Sequence, residues 1–280
     1  MGLGGYLAWT AVAREVHKKF SGEFKILPCE GHGKTITKIV ESEVFKYNPI
    51  ISNGDEPEGT KVFPLFVNNP QANYCKQDTP NRAFHRHDKH IIEGMCEVYG
   101  IENPKLKCEM YFTDGEREEV QKIISNLEED YIVIEPYSKT NYTPNRAYPI
   151  QSWQNLVNDL SEYIQIVQVG LPSYPLLKNV TDMRGKTTFR SATLLIEGSE
   201  LFMSTEGGLV HAATAVDTTS LVVITGYQTS KMVAYPQNIN VHIGTHGPCG
   251  LKIPCLDCKR DAAGHDYLEL LGKATKHLAG

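Results

Sequence analysis

The run ELFMSTEGGLVHAATAVDTTSLVVITG, residues 200–226, constrains the fold more than any other part of the chain. Leu201-Phe202-Met203 reads as a buried strand that stops at Ser204-Thr205-Glu206-Gly207-Gly208. A helix of small residues starts near Leu209, Thr218 and Thr219 break it, and Leu221–Thr225 reads as a second strand rich in β-branched residues. Gly207 and Gly208 let backbone N–H groups approach a ligand with no Cβ in the way. A helix N-terminus carries partial positive charge and free donors, so this turn is a natural seat for phosphate or a sugar hydroxyl. Glu206 and His211 flank it as a fixed acceptor and a titratable ring.

The second half repeats this alternation. Tyr131–Ile134 is a strand, and Ser152 caps a helix carrying Trp153, Leu156, Val157 and Leu160 at helical spacing. Ile164–Val169 is the next strand, Leu171–Gly185 is a loop, and Thr187 or Thr188 caps a helix through Leu195 that Gly198 ends. Strands alternating with helices predict an α/β fold with a parallel sheet, whose ligands bind at the carboxyl ends of the strands. Glu135–Lys139 and Thr205–Gly208 both lie on that edge. The first half is less regular. Gly2-Leu3-Gly4-Gly5 opens it, with only Met1 where a strand would normally precede such a turn. A helix over Tyr6–Lys19, a strand over Phe24–Leu27, a loop-heavy stretch over 41–80, and helices over Lys89–Tyr99 and Glu116–Leu127 follow. The acidic run Glu128-Glu129-Asp130 marks the boundary between two units, 1–129 and 130–280.

Composition narrows the function. A formal net charge of −5 over 280 residues gives no electrostatic case for nucleic acid. No apolar run approaches the ~20 residues that span a bilayer. The amphipathic segment Leu7–Phe20 lacks a signal-peptide core and cleavage site, and its basic end is compatible with peripheral membrane contact. Cys29, Cys75, Cys96 and Cys108 are scattered, which suits a reducing cytoplasm better than a disulfide scaffold.

Two clusters carry metal-ligand types. His85, His87 and His90 with Asp88 read first as a basic, solvated helix start. The tail His246-Gly-Pro-Cys249, Cys255, Cys258 has the donors of a tetrahedral zinc or iron site, with His246 or His265 as the fourth ligand, and its prolines and Gly250 favour a knuckle-like loop. Such a site would be structural. The alternative is three reduced thiols in a surface loop.

With these residues placed, the chain resembles glycosyltransferase family 9, the ADP-heptose:lipopolysaccharide heptosyltransferase-like enzymes. The family's Asn-Asp-Ser-Gly-Pro-Met-His-Leu-Ala-Ala-Ala signature is matched by Thr205–Ala215, with the Asp falling on Glu206 and the His on His211. Met183-Arg-Gly-Lys-Thr-Thr-Phe189 is similar to its Leu-Arg-Gly-Lys-Thr-Ser-Leu segment, and Arg146-Ala-Tyr-Pro149 then Ser152-Trp153 to its Lys-x-Trp-Pro then Trp. Gly2-Leu-Gly-Gly5 then Thr10-Ala-Val-Ala-Arg14 is similar to its Gly-x-Gly-Asp opening. The likeness is good over roughly 131–243 and thin before it.

The resemblance implies a GT-B architecture, two Rossmann-like domains with parallel sheets facing a central cleft. The second domain would hold a nucleoside-diphosphate sugar and the first a glycan acceptor, with inverting transfer that requires no metal ion. ADP-heptose and lipopolysaccharide core are the family's best-known pair. The resemblance places Gly4, Gly5, Ser138, Lys139, Arg146, Glu206, Gly207, Gly208 and His211 at the substrate. It also exposes a departure: the family's general-base Asp is replaced by Gly5, which cannot take a proton. Glu30, His32 and Asp88 are other candidates. A GT-B sugar-nucleotide epimerase, or a nucleotide-sugar-binding relative without catalysis, are the competing readings. A dinucleotide-dependent dehydrogenase is disfavoured by the missing strand before Gly2 and the lack of a ribose-binding acid.

Overall fold

A computed structural model describes residues 2–32, 35–72, 75–137 and 142–280. The first half runs α1 (Leu3–Lys19), β1 (Lys25–His32), β2 (Thr35–Ile39), β3 (Val62–Phe66), β4 (Cys75–Asp78), β5 (Ala83–His85), α2 (Ile91–Cys96) and α3 (Asp114–Ile124). The second runs β6 (Tyr131–Glu135), α4 (Ile150–Leu160), β7 (Gln165–Gln168), β8 (Thr181–Asp182), α5 (Phe189–Glu197), β9 (Leu201–Thr205), α6 (Gly208–Ala215), β10 (Ser220–Ile224), α7 (Ser230–Val233), β11 (Ile239–His242), α8 (Leu256–Gly264) and α9 (Leu268–Leu278).

The second half is a doubly wound sheet. Its six strands lie in the order β11-β10-β9-β6-β7-β8, all parallel. Chain order therefore reverses between β6 and β9, the switch point where ligands of such sheets bind. Both faces are covered, so the strands are apolar on both sides. Ile132, Ile134, Leu201, Met203, Leu221 and Val223 pack with Trp153, Leu156, Leu160, Leu270 and Ala274 of α4 and α9. Tyr131, Val133, Phe202, Val222 and Ile224 point the other way, towards α5 and α6. Thr188 caps α5 with a reciprocal Ser191 bond, and Gly198 closes it, as the sequence predicts.

The first half differs from a purely parallel Rossmann sheet. Its main sheet has three strands in the order β2-β1-β3; β3 runs parallel to β1, but β2 returns antiparallel through a hairpin. The loop-heavy 41–80 stretch holds β3 and β4, and the Leu171–Gly185 loop holds β8. The helix after residue 149 starts at Ile150, so Ser152 lies in its first turn and does not cap it. The C-terminal β11, α8 and α9 have no counterpart in the sequence reading.

The halves share one core. Leu7, Ala8, Ala11, Val12 and Val16 of α1 belong to the same buried cluster as Leu209, Ala212 and Ala213 of α6. The apolar face of α1 from Leu7 to Val16 is thus spent inside the fold. No helix among the described residues is long and apolar enough to cross a membrane. A second tie is ionic. Arg190 of α5 is 6% exposed; it pairs with Glu116 of α3 at 2.5 Å and donates to the carbonyls of Glu43 and Tyr111. That guanidinium holds the Glu116 carboxyl down at about 2.

Packing at the α1–α6 crossing is too close for side chains. A Cβ on Gly4 would lie 2.9 Å from the His211 ring and 3.1 Å from Gly208 Cα, whereas one on Gly208 meets nothing nearer than 3.5 Å. Gly4→Ala is expected to destabilise the chain by about 1–3 kcal/mol through overpacking, despite the helix propensity of alanine. Gly208→Ala should be near neutral. Urea unfolding of both variants checks this; equal effects would contradict the crossing geometry.

Candidate active site

The crossing brings two helix N-termini to one place. α1 begins at Leu3, so Gly4 and Gly5 form its first turn and not a loop before it. α6 begins at Gly208 after the extended Gly207. No side chain caps either helix, and neither has an acidic residue in its first turn. Each end leaves free N–H donors and roughly half a positive charge. Glu206, Gly207 and Gly208 are half-buried and remain open on one side, while Thr205 behind them is sealed.

Two charged side chains border this seat. Arg146 Nε lies 2.6 Å from Glu206 Oε2, an ion pair off the line of a directed N–H bond, since the same Nε has no hydrogen-bond acceptor. Arg146 also stacks its guanidinium 5.0 Å over the ring of Tyr227 and donates to Gln228 Oε1 at 3.4 Å. The structure thus unites Gly4, Arg146, Glu206, Gly207, Gly208 and His211 around one spot, with Gly5 on the adjoining turn. Ser138 and Lys139 lie outside the described residues.

His211 is not a titrating ring at neutral pH. Its Nδ1 sits 2.5 Å from the Tyr235 hydroxyl, which in turn meets Cys108 Sγ at 3.2 Å. Burial, then the neighbouring His90 and Arg146, push its pKa down to about 3. His90, 2% exposed, is pushed down to about 4 by burial alone. Its Nδ1 accepts the Ile92 N–H to cap α2, and its ring meets Tyr235 edge-on. The histidine run is therefore not a solvated helix start. Among the described residues, His85, His87 and His90 form no metal cluster.

Residues at the switch point add to the seat. Glu135, at the end of β6, borders Gly170, and desolvation pushes its carboxyl up to about 8, so it can donate a hydrogen bond at neutral pH. Ser204 Oγ donates to the Glu135 carbonyl at 2.9 Å, closing the strand ends together. Only its position on the ligand edge marked Glu135 in the sequence. Of the alternative bases, Asp88 is tied to Arg86 at 2.5 Å on the surface. Glu30 is half-buried on β1, and after burial its charge is what raises the Tyr6 phenol in the first turns of α1. The His32 side chain lies outside the described residues.

The tail forms a compact donor cluster. His246, Cys249, Cys255 and Cys258 place one ligand atom each within 4.8 Å of one another. Cys249 and Cys258 sulfurs are 3.4 Å apart, and His246 Nε2 is 3.5 Å from Cys258 Sγ and 4.0 Å from Cys255 Sγ. A tetrahedral zinc or iron site with bonds of about 2.0–2.3 Å has edges of roughly 3.3–3.8 Å, which the 3.4 and 3.5 Å separations match and the 4.0 Å one slightly exceeds. The other imidazole nitrogen is held by Asp261 at 2.8 Å, which orients Nε2 towards the thiols. His265 is elsewhere, bound to Tyr148 and Glu269. The hydrogen bond between Cys249 and Cys258 lowers the first thiol and raises the second, so the pair gives up its first proton more readily than its second.

A parallel six-stranded sheet with a switch point places this half among the doubly wound α/β folds. The sequence model of glycosyltransferase family 9 (heptosyltransferase) matches residues 82–255, and the chain belongs to that family. It is a glycosyltransferase with the GT-B fold. Among solved structures it is similar to the Escherichia coli ADP-heptose LPS heptosyltransferase II (TM-score 0.64, 11% identity, 99% of this chain and 96% of that one). It is also similar to the dodecameric iron-containing glycosyltransferase TibC from enterotoxigenic E. coli H10407 (TM-score 0.65, 13% identity, 98% and 74%). The same enzyme in complex with ADP-D-beta-D-heptose matches with TM-score 0.65 at 14% identity, over 99% and 74%. No curated protein sequence matches the chain.

The buried rings make acid a specific threat. Unfolded, each histidine protonates below about 6.5, but in the fold His90 and His211 resist until about 4 and 3. Between those values the unfolded chain binds more protons, so stability falls as pH drops through that window, by up to ~1.4 kcal/mol per ring per pH unit. Melting temperature should decline from pH 6.5 to 4.5, and less steeply in His90→Gln. A flat profile would contradict the buried neutral rings.

Proposed function

We propose that the protein transfers a sugar from a nucleoside-diphosphate donor of the ADP-heptose type to a hydroxyl of a glycan acceptor, by direct inverting displacement. The half beginning at residue 130 binds the donor and residues 1–129 receive the acceptor. One observation carries this reading: two uncapped helix N-termini abut at Gly4 and Gly208 with no acidic residue in either first turn. Two positive ends held together repel unless an anion lies between them. A diphosphate supplies that charge, and the nucleotide sugar bound by TibC is of this class.

The chemistry follows from charge. As the acceptor oxygen attacks the anomeric carbon, the bond to the diphosphate breaks and negative charge grows on the leaving group. Amides and a cation already aimed at it stabilise that state more than the ground state. Arg146 supplies the cation. Glu206 holds it while the seat is empty and accepts hydrogen bonds from sugar hydroxyls once Arg146 turns to the phosphates. His211, neutral with Nδ1 occupied by Tyr235, serves as a hydrogen-bonding wall and not as the base. Gly5 holds no proton acceptor. We assign the acceptor proton to Glu30 of β1, whose charge reaches the Tyr6 phenol of α1. The thiol–imidazole knuckle has a structural role, with zinc or iron held by His246, Cys249, Cys255 and Cys258.

A thermal-shift screen against ADP-, GDP-, UDP- and CMP-sugars tests donor binding. A ligand at 100 times its Kd stabilises by ~2.7 kcal/mol, and at least one diphosphate sugar should do so, with the shift abolished by Gly208→Asp. Glu30→Gln should keep the shift and lower turnover by roughly 10²-fold. Silence with every donor would overturn the reading, and turnover without an acceptor would mean epimerisation.

A further inference from the structure

The knuckle meets the rest of the second half at Asn145. Asn145, 6% exposed, precedes Arg146 in the chain. Its Oδ1 accepts the Cys255 N–H at 2.8 Å, and its Nδ2 donates to the carbonyls of Leu251 at 2.7 Å and Ile253 at 2.9 Å. Its own carbonyl accepts from Thr225 Oγ1 at 2.6 Å, at the end of β10. Both N–H donors and one of the two acceptor lone pairs of this side chain are therefore spent on the knuckle backbone.

A second contact runs beside the first. Tyr227, 1% exposed, packs with Cys249, Cys255 and Cys258 on one side and carries the Arg146 guanidinium on its ring. The Cys249 N–H donates to the Gly226 carbonyl at 2.9 Å and the Gly250 N–H to the Tyr227 carbonyl at 3.2 Å. A Cβ on Gly226 would sit 2.4 Å from the His246 ring, so this loop lies flat against the ligand cluster. The knuckle also grips the first half: the Ala83 N–H donates to the Gly250 carbonyl and the Lys252 N–H to the Asn81 carbonyl, both at 2.8 Å.

We propose that Asn145 and Tyr227 are positioning residues through which the folded knuckle sets the place of Arg146 at the donor diphosphate. Asn145 fixes where the arginine leaves the backbone, and Tyr227 fixes where its guanidinium rests. A metal at the four ligands holds the knuckle closed, and Arg146 is aimed only while it is closed. This rests on the reading of Arg146 as a diphosphate contact.

Three measurements test it. Hydrogen exchange compares the wild-type chain, purified without chelator, with Cys255→Ser. Exchange over residues 143–149 should quicken at least tenfold, while β9 and α4 stay as they are, and metal content should fall to zero. ADP titration then gives a double-mutant cycle. Asn145→Ala should keep its metal, weaken ADP about tenfold, and add little to the loss from Arg146→Ala. Tyr227→Leu removes the ring under the guanidinium and keeps the Asn145 bonds, and it too should weaken ADP while adding little to the loss from Arg146→Ala; it serves if the Asn145 variant does not fold. Unchanged exchange over 143–149, or losses that add in full, would overturn the proposal. Should wild-type protein not bind ADP while exchange still responds, the donor reading fails and the positioning stands.

Discussion

The structure depends on two helix N-termini held against each other at Gly4 and Gly208. Nothing larger than hydrogen fits at residue 4, because His211 and the α6 backbone occupy the space. That contact lets the apolar face of α1 continue into α6, so one core serves both halves of the chain. It also creates an electrostatic problem, since both dipoles point their positive ends at the same gap and no first-turn carboxylate offsets them. An anion would resolve it, and in the proposed reaction that anion is the leaving diphosphate.

Around that gap, charge is rationed. Arg146 is balanced by Glu206, Arg190 is consumed by Glu116, and His90 and His211 are kept neutral by desolvation. Among the described residues this leaves backbone amides and Arg146 to meet the proposed ligand. Beside Arg146, Asn145 bonds the knuckle backbone and Tyr227 lies between the guanidinium and the knuckle thiols, and the knuckle also braces the β4–β5 hairpin of the first half. Donor chemistry and the tail cluster are thus neighbours in space although about a hundred residues separate them in the chain.

The doubly wound half was legible because its signals are local and periodic. Apolar runs at strand length, the Thr188 cap and the Gly207-Gly208 turn all sit where the sequence puts them. The first half was less legible because β2 is exposed at every position and β3 contains Pro64, so neither shows the alternation of a half-buried strand. The solvated reading of His85–His90 failed because Tyr235, far along the chain, buries His90. The four-ligand cluster was partly readable from cysteine spacing, but the choice of His246 over His265 needed the third dimension. Asn145 and Tyr227 carry no sequence signal at all; their meaning lies only in what they touch.

The central claim is that paired helix ends hold the donor diphosphate. A crystal structure of the chain with ADP tests it most directly. The pyrophosphate should lie between the first turns of α1 and α6, within hydrogen-bond distance of their amides, with Arg146 turned from Glu206 towards it. ADP bound with its phosphates away from Gly4 and Gly208, and Arg146 still paired with Glu206, would contradict the account.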